Sequence, residues 1–445
     1  MTDSNLAEEG RLFTFQEFEQ SRDKAAFALA AIRAHEGTRF VQTAKRADRY
    51  DRQLNDGINS VMAMLQRDGG GGGVRPIASN FFHRLCVQRV MYSLGKGIDW
   101  ADDSATIKTR LGGHFAHDVR EVAYNAVIHG VSFGFWNVDR LYPIPVTQFV
   151  PLWDETSGAL RAGVRYWRLA LNRPLQAVVF EEDGYIRLAE RANSLVKIAD
   201  KRPYIERVSY TNAAPDESVI AGENYSSLPV VPMWGSRLHQ SALIGVERSI
   251  DAYDLIRTGF AADLKECAQI YWLVENRGGM DERDLAEFLD TLRLHHIANA
   301  DTSGNGAVKP YTQEIPYQAR ESFLSLMRSG IYEDFGGLDV HMVEAGATND
   351  HIQAAYQPLD ENADDFEYQL SEFLEHVTLL AGIENARPVF TRDRVSNQLE
   401  TAQMIVAESP WLDDETILRK FPNITPDEVG AILERRDSTA MEMNR

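Results

Sequence analysis

The sequence of 445 residues predicts an α+β fold in which helices dominate. Apolar side chains recur at steps of three and four over 241–273, which is the pattern of a long helix with one packed face. Short segments rich in β-branched and aromatic residues fill 130–232 and predict a mostly antiparallel β region. A small segment between two long helices is interpreted as one helix and two strands. We therefore expect two or three domains with their own cores.

Composition excludes several classes of protein. A formal charge of −20 disfavours an extended electrostatic grip on DNA phosphates. The two cysteines, Cys86 and Cys267, lie far apart in apolar stretches, so we expect buried thiols in a reducing compartment rather than a disulfide or a Cys-ligated zinc. The N-terminus shows no signal pattern and no run of 18 apolar residues occurs. We expect a chain that is neither exported nor membrane-spanning.

The N-terminal part is predicted to be helical. Thr14 and Glu17 have the spacing of a capping box, and the helix they start is expected to continue, with a break at Gly37, through a basic stretch. The basic residues are Arg39, Lys45, Arg46, Arg49 and Arg52. We favour a solvated or subunit-facing helix over nucleic-acid contact there. The glycines at 69–73 predict a flexible linker, and no Gly-Lys-Ser/Thr follows to make a phosphate loop.

Helices are predicted next over 80–91 and 115–129, and then the β region begins. Its strands are expected at 131–136, 161–169, 176–180, 185–188 and 204–210. The Pro-Val-Val-Pro segment at 229–232 closes this region before the long helix. That helix, 241–273, would be roughly 50 Å long, so we expect it to pack against other long helices in its own chain or in neighbours.

A compact excursion follows the long helix. Glycines at 278 and 279 end that helix, and Asp281 can cap a short one. Strands are predicted at 295–300 and 307–315 around a tight turn at 302–306, which completes an αββ module. The chain then returns through a helix over 317–335 that is halted by Gly336 and Gly337.

The C-terminal part is predicted to start with a loop at 338–349 and a helix at 350–380, which Pro358 should bend. Further helices are expected at 396–408, after Asp413 and after Thr425. From His351 onward there are 19 acidic and 8 basic residues, so this end is strongly negative.

No set of residues in the sequence has the pattern of a catalytic or metal site. The segment 301–306 resembles the start of a calcium loop, but Thr312 stands where a bidentate Glu is required, and we favour an Asx/Gly turn. His114 and His117 lack the further ligands of a metal site, as do His295 and His296. Carboxylates that converge on a metal from separate elements, as in a nuclease, are neither shown nor excluded by one sequence.

Several local motifs, in conserved order over about residues 75 to 435, resemble the portal proteins of tailed bacteriophages, in the branch found in long-tailed siphophages. The matching pieces are Tyr92-x-x-Gly95-Lys96-Gly97-Ile98, AVIHGVSFGF at 126–135, Pro-Val-Val-Pro at 229–232, Ile-Asp-Ala-Tyr-Asp at 250–254, the loop-to-helix segment 346–355, Tyr356-x-Pro358-Leu359-Asp360 and Trp-Leu-Asp-Asp-Glu-Thr at 411–416. The chain departs from the family in its short clip, its five-glycine run and Thr348-Asn349-Asp350, where many relatives have an Asn/Ser/Gly-rich turn.

The resemblance implies a ring-forming portal fold, usually of twelve subunits, at one capsid vertex. It divides the chain into a wing (1–240), two stem helices (241–273 and 317–337), a clip (274–316), a tunnel loop (338–349), a kinked helix (350–386) and a crown (387–445). Double-stranded DNA would pass through the ring during packaging and ejection. The protein would belong to the virion after assembly in the host cytoplasm.

The same resemblance implies the functional residues and partners. The tunnel loop would place Val340, His341, Met342 and Val343, with Thr348 and Asn349, toward the DNA. In the clip, the residues expected to contact partners or phosphate are Arg293, His295, His296, Lys309 and Tyr311. Partners would be further copies of the chain, terminase, a head-completion (adaptor) protein, the major capsid protein and scaffold. No cofactor, metal or enzymatic activity is expected.

Two other functions stay open at the level of the sequence. One is a metal-dependent hydrolase in the β region, whose turnover would depend on His114 or His117. The other is a cytoplasmic adaptor or scaffold that forms no pore and stays a monomer or dimer. An annular particle would separate the portal interpretation from both.

Overall fold

The computed structural model describes residues 12–67, 75–210, 218–267, 271–275, 307–311, 317–340 and 348–392, with isolated positions elsewhere. Its helices are α1 (Phe15–Gln20), α2 (Lys24–Gly37), α3 (Arg39–Asp51), α4 (Asp56–Arg67), α5 (Phe81–Leu94), α6 (Ser104–Leu111), α7 (Phe115–His129), α8 (Glu247–Cys267), α9 (Tyr317–Phe335) and α10 (Asn349–Leu380). Its strands are β1 (Ile98–Trp100), β2 (Val131–Asn137), β3 (Arg140–Pro145), β4 (Phe149–Trp153), β5 (Leu160–Trp167), β6 (Gln176–Glu181), β7 (Gly184–Arg191), β8 (Ser194–Lys197), β9 (Ile205–Tyr210), β10 (Ser218–Glu223), β11 (Val230–Trp234), β12 (Tyr271–Glu275), β13 (Ala307–Tyr311) and β14 (Pro388–Phe390). The α+β class is confirmed.

The paired strands form antiparallel sheets. One sheet has the order β4-β5-β6-β7-β8 and a second has the order β11-β2-β3, while β1-β14, β9-β10 and β12-β13 form two-stranded pairs. The antiparallel β region predicted at 130–232 is therefore confirmed. Strands β1, β3, β4, β8, β10 and β14 were not predicted from the sequence. β3 contains Pro143 and Pro145, and β4 contains Pro151, and proline in a sequence argues against a strand. β8 is only four residues long, which is too short for a clear alternating pattern.

The chain divides into two compact units. The first holds residues 1–54, 80–247 and 329–445, and the second holds 55–79 and 248–328. In the first unit, α2 packs Ile32 against the five-stranded sheet, where Val150, Val164 and Leu188 are buried beside it. A neighbouring core around Phe133 and Phe149 continues under the three-stranded sheet. The second unit contains α4, nearly all of α8, the β12-β13 pair and most of α9.

Within the second unit, a buried carboxylate ties the segment 55–79 to α8. The Asp254 carboxylate is fully buried and accepts hydrogen bonds from the Ser79 amide at 2.8 Å and from Asn55 Nδ2 at 2.5 Å. One turn further along α8, Thr258 Oγ1 accepts from the Ile77 amide at 3.1 Å. Two adjacent turns of the helix therefore hold the chain that leads into α5.

The prediction of one unbroken helix over 241–273 is wrong at both ends. Ser241 Oγ donates to the Ile128 carbonyl and accepts from the Leu243 amide, and turns fill 242–246 before α8 begins at Glu247. At the other end, Tyr271, Trp272 and Leu273 belong to β12. Aromatic and β-branched residues favour a strand once a partner is present, and β13 supplies it. The helix has 21 residues and is therefore about 32 Å long.

Most other helix predictions are confirmed. Thr14 and Glu17 form the expected capping box. The expected break at Gly37 separates α2 from α3, and a second break, at Ser21 to Asp23, was not foreseen; there Asp23 accepts from the amides of Ala25 and Ala26 and starts α2. The predicted helices at 80–91, 115–129 and 317–335 correspond to α5, α7 and α9. Helix α10 runs through Pro358 without interruption, and its bend stays a prediction.

Glycines explain the AVIHGVSFGF stretch at the junction of α7 and β2. Gly130 has φ +95°, and a Cβ there would lie 2.7 Å from the Gln240 carbonyl carbon. A Cβ on Gly134 would lie 2.7 Å from the Phe373 ring, and one on Gly235 would lie 2.3 Å from the Ala126 carbonyl oxygen. Three chain segments therefore approach this junction more closely than any side chain allows.

Some predictions fall outside the described residues. These are the glycine linker at 69–73, the strand at 295–300, the turn at 302–306 and most of the C-terminal helices. Gln403, Ile405 and Ala407 are helical, and Asp413 accepts from the Thr416 amide at 3.1 Å, as expected for a helix start there. Arg283, Ala286 and Asp290 are also helical, consistent with a short helix after Asp281. Among the described residues, no helix is long and apolar enough to span a membrane.

Candidate functional site

The candidate site surrounds the segment between α9 and α10, within the first unit. Helix α9 ends at Phe335, the next residue, Gly336, has φ +67°, and the Gly337 amide donates back to the Tyr332 carbonyl at 2.8 Å. Asn362 Nδ2, on α10, donates to the Phe335 carbonyl at 2.7 Å. The last turn of α9 is thus satisfied by a glycine cap and by a side chain of the next helix.

Gln88 of α5 fixes the first residue of the loop. Its Nε2 donates to the Leu338 carbonyl and its Oε1 accepts from the Leu338 amide, both at 2.9 Å. The carboxamide thereby pairs with Leu338 as a neighbouring strand would. The Leu338 side chain is buried in a small core with Tyr92, Ile352, Tyr356 and Leu359.

The second flank of the loop is fixed at the start of α10. Thr348 Oγ1 accepts from the His351 amide at 3.4 Å and caps the helix. One turn later, Ile352 and Tyr356 enter the core that holds Leu338, and the Tyr356 ring stacks on Tyr92 with centroids 5.9 Å apart. Leu338 and the first turns of α10, which flank residues 341–347 in sequence, therefore meet in one core.

Arg392 joins the chain that follows β14 to the face of α10 directly after this core. Its Nη1 donates to Asp360 at 3.2 Å, its Nε and Nη2 donate to Glu367 at 3.0 and 2.8 Å, and Nη2 also pairs with Asp364. Tyr92 Oη donates to Asp360 and Ser93 Oγ donates to Glu367, each at 2.7 Å. The three acids lie at i, i+4 and i+7 on one face of α10, so a single guanidinium that contacts all three reduces their mutual repulsion.

This arrangement strongly favours the charged form of Arg392. The hydrogen bonds to Glu367, followed by those to Asp364, raise the guanidinium pKa above its ordinary value, although burial opposes the shift. Because Tyr92 and Ser93 belong to α5, the Arg392 cluster connects α5, α10 and the start of the C-terminal region. The β1-β14 pair adds a backbone connection between the same parts.

The residues predicted for the tunnel loop are only partly described. Val340 is 66% exposed although it follows two buried residues, Leu338 and Asp339. Thr348 serves as the helix cap, and Asn349 is the first residue of α10 rather than part of a loop. His341, Met342 and Val343 lie outside the described residues.

The predicted clip residues are similarly divided. Lys309 and Tyr311 lie in β13, opposite Leu273 and Tyr271 of β12. The second predicted strand, 307–315, is confirmed as far as Tyr311, and the strand it pairs with is β12, which precedes the helical positions 283, 286 and 290 in sequence. The first predicted strand, 295–300, lies outside the described residues, so the αββ order of the clip stays a prediction. Arg293, His295 and His296 lie outside the described residues.

His114 and His117 lie at the start of α7, with His114 as its N-cap residue. In the described part of the chain, no group of three His, Cys, Asp or Glu residues could hold a metal ion. The basic helix α3 buries Phe40, Val41, Ala44, Ala47 and Tyr50. On this helix, Arg46 Nη1 donates to Glu247 at 2.9 Å, so at least this cation of the predicted solvated face has an intrachain partner.

Sequence reasoning missed Gln88, Asn362 and Arg392. The acids at 360, 364 and 367 carried a signal, since like charges on one helix face call for a cation. Nothing in the spacing could name Arg392 as that cation, because it is 25 residues away from Glu367 along the chain. Gln88 and Asn362 bind backbone groups far away in the sequence, and such contacts produce no periodic pattern of residue types from which they could be predicted.

Comparison with known proteins gives a family match over most of the chain. The family model described as "Phage portal protein, SPP1 Gp6-like" matches residues 39–442. The portal protein of Clostridium phage phiCD119 is 26% identical over 221 residues, which are 44% of this chain and 48% of that protein. The chain thus spans about half the length of the curated relative it matches.

Two solved structures of gene transfer agent particles are similar at a low level. The neck of the native particle, computed with C12 symmetry, has a TM-score of 0.45 at 11% identity and covers 81% of this chain and 93% of that one. The virion of the native particle has a TM-score of 0.43 at 10% identity and covers 80% and 91% of the two chains.

Proposed function

The chain belongs to the SPP1 Gp6-like family of phage portal proteins, and we propose that copies of it, twelve in number, close into a ring around a channel for double-stranded DNA. Portal proteins are structural components of the virion at the capsid. In this proposal the chain performs no bond chemistry, and its ring admits DNA during packaging and releases it during ejection. Assembly takes place in the host cytoplasm.

The observation that carries the ring is a pair of exposed apolar side chains on α9, in the part of that helix that belongs to the second unit. Phe323 and Leu326 are 46% and 69% exposed. They are three residues apart and so share one helix face. We call Phe323 and Leu326 the stem surface. Head-to-tail contact between copies of the chain would cover such a surface. Contacts of this kind generate a ring when the rotation that relates adjacent subunits adds up to a full turn.

Charge supports passage of DNA without capture. The subunit has a formal charge of −20, and that charge repeats in every copy. A channel lined by many Lys or Arg side chains would bind phosphates, whereas an acidic ring repels them weakly and lets the duplex slide. The exposed Val340, next to the anchored Leu338, is the described residue best placed for contact with DNA through shape alone.

The β12-β13 pair supports docking of partners at the clip. A two-stranded sheet is at best marginally stable in water, and within the described part of the chain neither outer edge of this pair has a further strand partner. Pairing with strands of neighbouring copies would complete it, and the resulting rim is our proposed contact for terminase and the head-completion protein through Arg293, His295, His296, Lys309 and Tyr311. Capsid and scaffold would meet the wing.

The ring can be tested by substitution in the stem surface. Leu326→Glu places a charge at the proposed interface, and we expect it to shift the protein from rings to single subunits in mass photometry and negative-stain electron microscopy. Leu171→Glu is the matched control, because Leu171 is fully exposed at the turn between β5 and β6 and should not affect assembly. Equal ring formation by the two variants would refute the role of the stem surface.

A further inference from the structure

The five-stranded sheet has one face that α2 covers and a second face that is open over part of its length. Side chains alternate between the two faces along each strand, so Val164 and Leu188 point toward α2 and are buried. On the second face, Phe149 and Phe180 are buried in the neighbouring core. Beyond these two phenylalanines, side chains on the second face are half-buried or exposed.

Cations and apolar side chains share this open part of the sheet. Three arginines, one tryptophan and two aliphatic residues alternate onto it, and we call these the sheet surface: Arg165, Trp167, Arg187, Arg191, Val196 and Ile198. Arg165 pairs with Val178, and Val178 pairs with Arg187, so the Cα atoms of the two arginines are roughly 10 Å apart. Val196 and Ile198 are 41% and 50% exposed.

The charge of this region is opposite to that of the whole chain. Residues 149–202 hold nine basic and seven acidic residues, whereas the formal charge of the chain is −20. Along β5 to β8, no acid alternates onto the open face. Acids that flank the sheet surface in sequence are paired with other cations: Glu182 with Arg161 at 2.6 Å, Glu190 with Arg168 at 2.8 Å and Asp200 with Lys197 at 2.9 Å. On the described strands, an incoming carboxylate therefore meets arginines and not like charges.

The turn between β5 and β6 adds apolar side chains directly after Trp167. Leu169 is 86% exposed and Leu171 is fully exposed. The turn has its own hydrogen bonds, since Arg168 Nη1 donates to the Arg173 carbonyl at 3.0 Å and the Arg173 amide donates to the Ala170 carbonyl at 2.9 Å. Exposed apolar side chains grouped at one end of a sheet are typical of a surface that a partner covers.

We propose that the sheet surface and the two leucines of this turn bind an acidic segment, also bearing apolar side chains, of another protein of the assembling particle. The inference deepens the proposed contact of the wing with capsid and scaffold, and it rests on the proposed function. Carboxylates of the segment would pair with the arginines, and its apolar side chains would cover Val196 and Ile198. Burial lowers the pKa of the Arg165 guanidinium, so a carboxylate gains more beside it than beside an exposed arginine.

The sheet surface favours a polypeptide over a nucleic acid. Single strands bind to aromatic faces on which bases can stack, but the Arg165 guanidinium already lies over the Trp167 ring, 5.3 Å from its centroid. Binding of phosphates requires many cations along one path and gains nothing from exposed leucines. The acidic remainder of the chain also repels a duplex.

The first experiment identifies the partner in assembled particles of the phage that encodes the chain. With p-benzoylphenylalanine in place of Val196, irradiation should link the chain to a segment of another protein in which acidic residues outnumber basic ones. A segment with a basic surplus, a second copy of this chain, nucleic acid or no product would each overturn the inference. If the particles lack the chain altogether, the proposed function itself fails, which is a separate result.

The second experiment reverses the charge of the sheet surface. Arg187→Glu combined with Arg191→Glu should lower the yield of the cross-linked product by at least about tenfold, because like charges would then face each other. The matched control is Arg22→Glu combined with Arg33→Glu, which makes the same charge change on exposed residues at the α2 side of the sheet and should leave the yield unchanged.

Both double variants should keep the wild-type urea midpoint, because all four arginines are exposed. Replacing the acids of the linked segment with lysines should restore the yield with the variant that carries Arg187→Glu and Arg191→Glu. Equal yields from the two double variants, or no recovery with the lysine-bearing segment, would overturn the inference.

Discussion

Replacing Arg392 with methionine is expected to destabilise the connection between α10 and the C-terminal region by about 2 kcal/mol. Methionine keeps much of the aliphatic length of the side chain but removes the guanidinium. Asp360, Asp364 and Glu367 then face one another on α10 without their shared cation. The prediction concerns this local contact, because the rest of both units is untouched.

The magnitude follows from the exposure of each partner. Breaking a fully buried ion pair costs about 3–5 kcal/mol, and exposed pairs contribute about 0–1 kcal/mol. Asp364 is 71% exposed and adds little, whereas Asp360 and Glu367 are at most 20% exposed. Each of these two keeps a hydroxyl donor, Tyr92 or Ser93, after the substitution. The cost therefore falls below that of a fully buried pair.

Hydrogen exchange measures this local change directly. The Ala101 amide donates to the Arg387 carbonyl at 3.0 Å, next to the β1-β14 pair, so peptides that cover 98–101 and 387–392 report its opening. A loss of 2 kcal/mol corresponds to roughly thirtyfold faster exchange. Arg387→Met is the matched control, because the Arg387–Asp102 pair is over 70% exposed on both sides and should change exchange little. Equal exchange in the two variants would refute the role given to the Arg392 cluster.

Three further predictions concern the core of the first unit. Burial holds the pKa of His35 at about 4 in the folded state against 6.5 when unfolded, so only the unfolded chain gains a proton between these values, and the free energy of unfolding should fall by about 3 kcal/mol from pH 6.5 to pH 4. His35→Gln keeps a donor for the Val146 carbonyl, and its urea unfolding should lack this part of the pH dependence. Identical pH profiles of the variant and the wild-type protein would contradict the prediction. In thermal melts, Gly130→Ala should lower stability by about 2–4 kcal/mol, because it adds a Cβ at φ +95° against the Gln240 backbone. Gly113→Ala is the control, and it should be close to neutral because the space around Gly113 is open. Cys86 is buried with its pKa raised by burial, so iodoacetamide should modify it only in the unfolded protein, and rapid labelling of the native chain would show that the core around α5 opens.

Local signals in the sequence accounted for much of the fold. The capping box at Thr14, the helix over 115–129 and the glycine stop after Phe335 each depend on residues within one or two turns, and all three are present. The prediction failed where a distant partner decides the structure. Tyr271 to Leu273 continue a helical apolar pattern but form a strand, because β13 supplies hydrogen bonds from about 40 residues away in sequence.

The candidate site was less accessible to sequence reasoning than the fold. The order of the motifs identified the family and predicted a loop at 338–349, of which the structure describes the exposed Val340, two residues after the anchored Leu338. The anchors themselves are Gln88, Asn362 and Arg392, which act through single contacts between segments far apart in the chain. Such contacts have no period and no fixed spacing, so only the structure can reveal them.

Electron microscopy of the purified full-length protein tests the central claim most directly. The account predicts annular particles with rotational symmetry and a central hole wide enough for a DNA duplex, in which the stem surface is covered by the adjacent subunit. Particles that remain monomeric or dimeric at all concentrations, or rings in which Phe323 and Leu326 still face solvent, would contradict it.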